Sequence, residues 1–326
     1  MINIENNKIG VVVIGRNEGP RLIYCLESVL VAGFPIIYVD SQSIDSSVNE
    51  ALKRNVEVIQ LDSTRPLSAA RARNEGFKRL VVLNPSIKYV HFIDADCELE
   101  PEWLQRASIH LERQEEVAVV CGRLREKHRN DSVYMILCDI DWYRSPGIIN
   151  SCGGIATYRR SVFESLDGFN ENLIAGEEPE LCSRIRSDNQ NILCLEAEMG
   201  THDSAMKHFS QWWTRSVKVG YGFMSGSQWG GWVKQYKSSL FWGGLLPFLI
   251  LITIFFSINL AIVFFILYPV QIYRIYSNFK GDPSLTNRER WLYGIFCILA
   301  KFPETQGILT YYVSKILKKN QIIQYK

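Results

Sequence analysis

Residues 90–104 read VHFIDADCELEPEWL, an apolar strand that runs into Asp94-Ala95-Asp96 and hands over to a helical stretch. A strand that ends on carboxylates and is followed by a helix is the repeating unit of an open α/β sheet, in which strand ends face ligand. Side chains alternate along a strand, so Asp94 and Asp96 are expected to share a face, with about two negative charges within a few ångströms. Such a pair is costly unless a cation sits between them.

The same alternation extends to both sides. KIGVVVIG (8–15) reads as a buried strand that ends in the turn RNEGP, and a helix follows at 20–32. Next come the strand PIIYVDS (35–41), a helix near 45–54, the short strand VEVIQL (56–61) and a helix at 67–82. Strand 88–94, helix 101–113 and the strand VAVVCGRL (117–124) complete the pattern. Continuous β-branched strands between helices predict a mostly parallel sheet covered on both faces. Ligands bind beyond the carboxyl ends of such strands. Those ends carry Arg16-Asn17-Glu18, Asp40-Ser41-Gln42-Ser43 and Asp94-Ala95-Asp96. Turn and cap propensities explain any one of them alone. Three carboxylate-bearing ends on one rim point to a site.

The chain has 326 residues, room for one large α/β domain with an appendage, and its polarity changes abruptly once, near residue 240. Thirty-six Lys and Arg against 34 Asp and Glu leave a net charge of +2, so no global field favours nucleic acid. The eight cysteines form no Cys-x-x-Cys pair, and MINIENNKIG lacks a secretory pattern, so the soluble part is expected in the cytosol with reduced thiols. Neither a G-x-x-x-x-G-K-[ST] loop nor a G-x-G-x-x-G after the first strand is present, so a cation must do more of any phosphate binding. Carboxylates suit Mg2+ or Mn2+, which would neutralise a diphosphate leaving group.

Residues 240–276 carry no charge before Arg274. One span needs roughly 20 apolar residues, so the run suits two short spans that turn near Ser257 and Asn259, or one long tilted helix with an interfacial end. Basic flanks (Lys234 and Lys237 before; Arg274, Lys280, Arg288 and Arg290 after) favour a hairpin with both ends in the cytoplasm. Trp212, Trp213, Trp229, Trp232 and Trp242 precede or open the run, so 206–239 is expected along the membrane surface, unless the rings simply pack on protein. Glycines 220, 222, 226, 230 and 231 argue against one rigid helix there. Residues 288–319 are too short in apolar content to span and predict an amphipathic or partly buried helix followed by a basic tail. The expected organisation is 1–205 catalytic, 206–239 interfacial, 240–276 transmembrane and 277–326 an amphipathic, basic cytoplasmic tail.

Six segments, taken in order, resemble family 2 glycosyltransferases of GT-A fold: VVVIGRNEG, VDSQSIDSS, AARARNEG (69–76), FIDADCELEPEWL, CGGIATYRRSVFESLDGFNE (152–171) and AGEEPELCSRIR (175–186). The resemblance covers roughly residues 8–190. It implies that Asp40 reads the base of a nucleotide-sugar, with Glu18 and Arg73 nearby, and that Asp94 approaches the ribose or metal. Asp96 becomes the principal ligand of an Mn2+ or Mg2+ ion. Read from the residues themselves, His202 beside Asp203 is either a third ligand or a hydrogen-bonded structural residue, and Arg215 with Lys218 either steadies the diphosphate or sits at the lipid headgroups. The family's Glu-Asp pair reads Glu177-Glu178, so the base falls on Glu178, one methylene longer, with Glu177 as the alternative. In QWWTR (211–215) the arginine follows the tryptophans, unlike the Gln-x-x-Arg-Trp of processive polymerases, which favours one sugar per encounter.

The resulting expectation is a metal-dependent inverting glycosyltransferase at the cytoplasmic face of the plasma membrane. It would move a sugar from a nucleotide-diphosphate donor to a lipid-linked or glycolipid acceptor in polysaccharide or glycolipid assembly. A polyprenyl-phosphate sugar synthase of the same fold and a non-catalytic membrane scaffold or nucleotide-sugar sensor are the rival readings.

Overall fold

In the computed structural model, which describes residues 8–31, 33–226, 232–279 and 284–317, the chain forms two compact units, 8–128 with 141–204 and 129–140 with 205–317. The first unit runs β1 (Ile9–Gly15), α1 (Pro20–Leu30), β2 (Ile36–Asp40), α2 (Ser47–Lys53), β3 (Glu57–Gln60), α3 (Ala69–Leu83) and β4 (Tyr89–Asp94). Then come β5 (Cys97–Leu99), α4 (Trp103–Arg113), β6 (Val117–Glu126) and, beyond α5 (Val133–Asp141), β7 (Gly147–Ile148), β8 (Ala156–Arg159), α6 (Arg160–Ser165), α7 (Glu177–Ser187) and β9 (Asn191–His202).

The strands join in one sheet ordered β3-β2-β1-β4-β8-β6-β9-β5, with β7 on β9. The first four in that row are parallel. β8 then runs antiparallel to both β4 and β6, and β9 lies parallel to β6. This is the expected mostly parallel α/β sheet, with β5, β7, β8 and β9 added to the strands read from the sequence. β1 is central because its first six residues are buried, as a strand covered on both faces requires. α3 lies flush on β1 and β2: a Cβ on Gly76 would fall 2.4 Å from Val12 Cγ1 and 2.8 Å from Val39 Cγ2. Under β4 and β8, Phe92, Tyr158, Phe163 and Phe169 pack with ring centroids 5.2–6.0 Å apart, mostly edge to face.

The second unit contains α8 (Phe209–Gly226), α9 (Val233–Leu240), α10 (Leu246–Phe256), α11 (Ile258–Asn278), α12 (Asn287–Leu299) and α13 (Lys301–Ile316). A π-helical stretch at Phe241–Leu245 joins α9 to α10, giving one helix of 24 residues, Val233–Phe256, beside the 21 of α11. Both are long and apolar enough to cross a membrane, with mean hydropathies of 2.2 and 1.7, and they leave Phe248, Phe255, Phe256 and Phe265 exposed. The break falls at Ser257 alone, whose extended backbone interrupts the helix and whose side chain accepts from Leu260 N; Asn259 is already inside α11.

Three expectations change here. Residues 129–140, expected in the catalytic domain, fold with the second unit: Tyr134 packs on Trp212 and Phe296, and Arg129 pairs with Glu289 at 2.6 Å. Gly220, Gly222 and Gly226 do not prevent a helix at 209–226, because Gly220 serves close packing: its Cβ would sit 2.0 Å from the Glu304 carbonyl oxygen. The stretch 288–319 is split at Ala300, since Pro303 lacks the N–H that would bond Leu299 and its ring crowds that carbonyl. Trp212 is buried within the unit, whereas Trp229, Gly230, Gly231, Lys280 and the tail from 318 lie outside the described residues.

Candidate active site

β1, β2 and β4 are parallel neighbours, and beyond their carboxyl ends opens a cleft of about 270 Å3. Gly15 and Arg16 border it from β1, Ser41 from β2, Asp94 from β4, Ser68 and Arg73 from the start of α3, with Gly154 and Glu177 opposite. Ser68 caps α3 by accepting from Arg71 N, and the first turns carry Arg73 into the cleft wall. The Arg73 guanidinium donates to Glu177 Oε1 at 2.7 Å and to Asp94 Oδ1 at 2.9 Å, over the Phe169 ring. Burial works against its charge, but Asp94 and Glu177 outweigh that and hold its pKa above the ordinary guanidinium value. Gly154 packs close to this group, and a Cβ there would lie 2.9 Å from Arg73 Nη2.

Glu18 and Asp40 stand behind the cleft. Glu18 is buried and paired with Arg21 at 2.7 Å. Asp40 accepts from the Tyr38 hydroxyl at 3.0 Å and from Ser43 N at 2.8 Å. Asn17, with φ of 56°, donates its N–H to Ser43 Oγ and accepts from Ile44 N, both at 2.8 Å, which ties the loop after β1 to the loop after β2. These groups shape the two loops, and Arg16 and Ser41 present the surface.

Asp94 and Asp96 separate. β4 ends at Asp94 and the next two residues form a turn, so strand alternation no longer governs Asp96. Asp94 turns to Arg73, whereas Asp96 is brought to His202 by the antiparallel pairing of Cys97 with His202 across β5 and β9. His202 Nε2 lies 3.5 Å from Asp96 Oδ2, its Nδ1 lies 3.8 Å from Glu126 Oε2, and Trp142 packs edge-on at 4.2 Å. Donor atoms of Asp96, Cys97 and His202 lie within 4.8 Å of one another. A carboxylate beside an imidazole fits a divalent ion of the Mn2+ kind, and Asp94 is not in that group. Burial, then Asp96, Asp94, Glu98 and Glu18, raise the pKa of the Cys25 thiol, which registers the negative field at these strand ends.

α7 starts after Gly176, whose φ of 86° is left-handed. Of its first two residues, Glu177 borders the cleft, and Glu178, about 100° round the helix, turns into protein. Glu178 Oε1 accepts from Cys152 N at 2.7 Å, and Ser151 Oγ lies 3.3 Å from Oε2. A larger cavity of about 740 Å3 borders Asn74, Lys78, Glu171 and Arg184, away from the strand ends. Three of its carboxylates are already paired, Glu171 with Arg65, Glu180 with Arg184 and Glu164 with Arg160.

Residues 10–167 match the family model described as "Glycosyl transferase family 2". This stretch is a family 2 glycosyltransferase domain. The mannosyltransferase PcManGT from Pyrobaculum calidifontis, solved with GDP-Man and Mn2+, is 14% identical and superposes with a TM-score of 0.51 over 96% of this chain and 88% of its own. At that identity the similarity establishes a common fold alone. S. aureus TarS 1-349 (15% identity, 96% and 93% coverage, TM-score 0.49) and the glucosyl-3-phosphoglycerate synthase of Mycobacterium tuberculosis (18%, 69% and 80%, TM-score 0.49) are further similar structures. No curated protein sequence matches the chain significantly.

In this glycosyltransferase the matched stretch includes Arg73, Asp94 and Asp96 and stops before Glu177, Glu178 and His202. Arg215 lies in the second unit on α8, where Nη1 is 3.0 Å from Cys138 Sγ. Glu126 escaped the sequence reading because its place at His202 depends on the β6–β9 pairing, in which it lies beside His202, and Trp142, just after α5, reaches that ring through a contact between distant parts of the chain. Gly154 sat in a segment read only as a family motif, and its tight passage past Arg73 left no separate mark.

Proposed function

We propose that the protein transfers one sugar from a nucleoside-diphosphate sugar to a hydroxyl of a membrane-linked acceptor, with inversion, at the cytoplasmic face of a membrane. The observation that carries the reading is the Arg73 clamp: one buried guanidinium fixes both Asp94, at the end of β4, and Glu177, at the start of α7, on the wall of the same cleft. Support for a nucleotide-sugar and a divalent cation comes from the similar structures, solved with GDP-Man and Mn2+ and with UDP-Glc and Mn2+. Support for a membrane-linked acceptor comes from the two apolar helices.

In this mechanism Asp96 and His202 would hold Mn2+ or Mg2+, which when bound neutralises the diphosphate as it departs. Arg16 and Ser41 line the donor's path and Asp94 faces the ribose. Glu177, rather than Glu178, takes the proton of the acceptor hydroxyl as its oxygen attacks the anomeric carbon from the side opposite the diphosphate. Arg73 orients Glu177 and Asp94. The two apolar helices hold the domain at the surface where a lipid-linked acceptor is found.

The test is release of nucleoside diphosphate by the detergent-solubilised protein across UDP-, GDP- and dTDP-sugars, with Mn2+, with Mg2+ and with EDTA. Metal-dependent release of one nucleotide together with a glycosylated lipid supports the reading. Binding without turnover across lipid acceptors would turn it to the sensor reading. A phosphate acceptor needs no base, so near-normal turnover by Glu177→Gln with polyprenyl phosphate would identify the synthase instead.

A further inference from the structure

Glu178 is excluded from the cleft yet sits in a pocket of metal-binding chemistry. Its Oε1 lies 3.2 Å from Cys152 Sγ and 3.0 Å from Cys182 Sγ, and the two sulfurs are 3.7 Å apart. Tyr158 Oη stands 3.2 Å from Cys152 Sγ. All four residues are buried. Among the described residues no lysine or arginine pairs with Glu178, so a carboxylate has been taken out of water without a cation to face.

In a tetrahedral zinc site, with Zn–S near ~2.3 Å and Zn–O near ~2.1 Å, neighbouring ligand atoms stand about 3.5–3.8 Å apart. The three donors here already outline one face of such a tetrahedron, slightly contracted. Glu178 and Cys182 are one turn apart on α7 and so share a face of the helix, and Cys152 reaches them from the segment before β8. We propose that Cys152, Cys182 and Glu178 bind a structural zinc ion.

This site is separate from the Asp96–His202 pair and differs in kind, since two thiolates select a softer ion than a carboxylate and an imidazole do. Burial keeps the Cys152 thiol protonated in the free protein, and its hydrogen bond with Cys152 followed by burial does the same for Cys182. Zinc uptake therefore releases two protons as two S–Zn bonds form, with no change of oxidation state. The ion would cross-link the 151–154 segment to the first turns of α7. Gly154 and Glu177, which flank the ligands in sequence, both line the cleft, so the zinc would set the spacing of the catalytic wall without touching substrate.

The test uses the full chain purified under reducing conditions in detergent. Metal content is measured by mass spectrometry, and Co2+ replacement is followed by the thiolate-to-cobalt charge-transfer absorption. The expected result is one equivalent of zinc and a thiolate–cobalt band in the wild type and in Asp96→Ala, with zinc affinity at least about tenfold weaker in Cys152→Ser and in Cys182→Ser. Absence of the band from the wild-type protein, which requires no variant to fold, would overturn the proposal. So would zinc retained unchanged in the Cys152→Ser/Cys182→Ser double variant, zinc lost only in Asp96→Ala, or a Cys152–Cys182 disulfide in place of bound metal.

Discussion

Glu177 and Glu178 are chemically identical neighbours whose surroundings give them different work. Replacing Glu177 by Gln keeps its hydrogen bond to Arg73 but removes the proposed base, so transfer to a hydroxyl acceptor should fall by about 10²–10⁴-fold with donor binding little changed. Glu178→Gln should instead leave the rate within about tenfold and lower the melting temperature, because the residue supports the 151–152 segment. Initial rates at saturating donor separate the two, and the reverse order would return the base to Glu178. His91 carries a prediction about pH. It is fully buried, with Nδ1 2.9 Å from Thr157 Oγ1, and burial lowers its pKa to about 3. Between about pH 6.5 and that value the unfolded chain binds a proton that the native state refuses, so stability is present above this window and is lost as pH falls through it. The slope should approach about 1.4 kcal/mol per pH unit, and His91→Gln should flatten the dependence of unfolding on pH over the same range.

Among elements, the packing of α3 on the sheet is the most exacting. Gly76→Ala would push a methyl into Val12 and Val39 from a helix that also positions Arg73. Overpacking of this kind costs about 1–3 kcal/mol, and thermal unfolding should show a melting temperature lower by several degrees. An unchanged melting temperature would mean that α3 can lift from the sheet without penalty. Most strands and helices before residue 126 were legible in the sequence because β-branched runs such as Val11–Ile14 and amphipathic stretches such as Trp103–Arg113 carry their periodicity locally. β5 is only three residues long, and β9 is partly exposed along much of its length, so neither carries an unbroken apolar run. Yet their pairing is what joins Asp96 to His202. The expectation that Asp94 and Asp96 share a face failed for a related reason: alternation holds only inside a strand, and β4 stops at Asp94. Residue type and motif drew attention to Arg73, Asp96 and His202, whereas which of Glu177 and Glu178 borders the cleft depends on which side of α7 faces it.

At the scale of the whole molecule, the chain crosses from one compact unit to the other and back before it leaves the catalytic domain. Residues 129–140 belong with the second unit, where Met135, Leu137, Cys138 and Ile140 are buried and Ser132 Oγ donates to the Met206 carbonyl at 2.6 Å. A truncation after Ser204, where the first compact unit ends and next to the expected 1–205 boundary, therefore removes every partner that α5 has in α8 and α12 and leaves its apolar face bare. Exposing Met135, Leu137 and Ile140 forfeits about 1.5–3 kcal/mol for each and creates an aggregation-prone patch. The truncated protein should be insoluble or oligomeric by size-exclusion chromatography. The same truncation with residues 129–140 replaced by a polar linker of equal length should be monomeric and should retain nucleotide-sugar binding, since Arg73, Asp94, Asp96, Glu177 and His202 all lie in the first unit. If the unmodified truncation were already a soluble monomer, α5 would be a dispensable passenger of the second unit. If the linker version bound no donor, the second unit would be needed to complete the donor site and the role expected of Arg215 on α8 would regain its force.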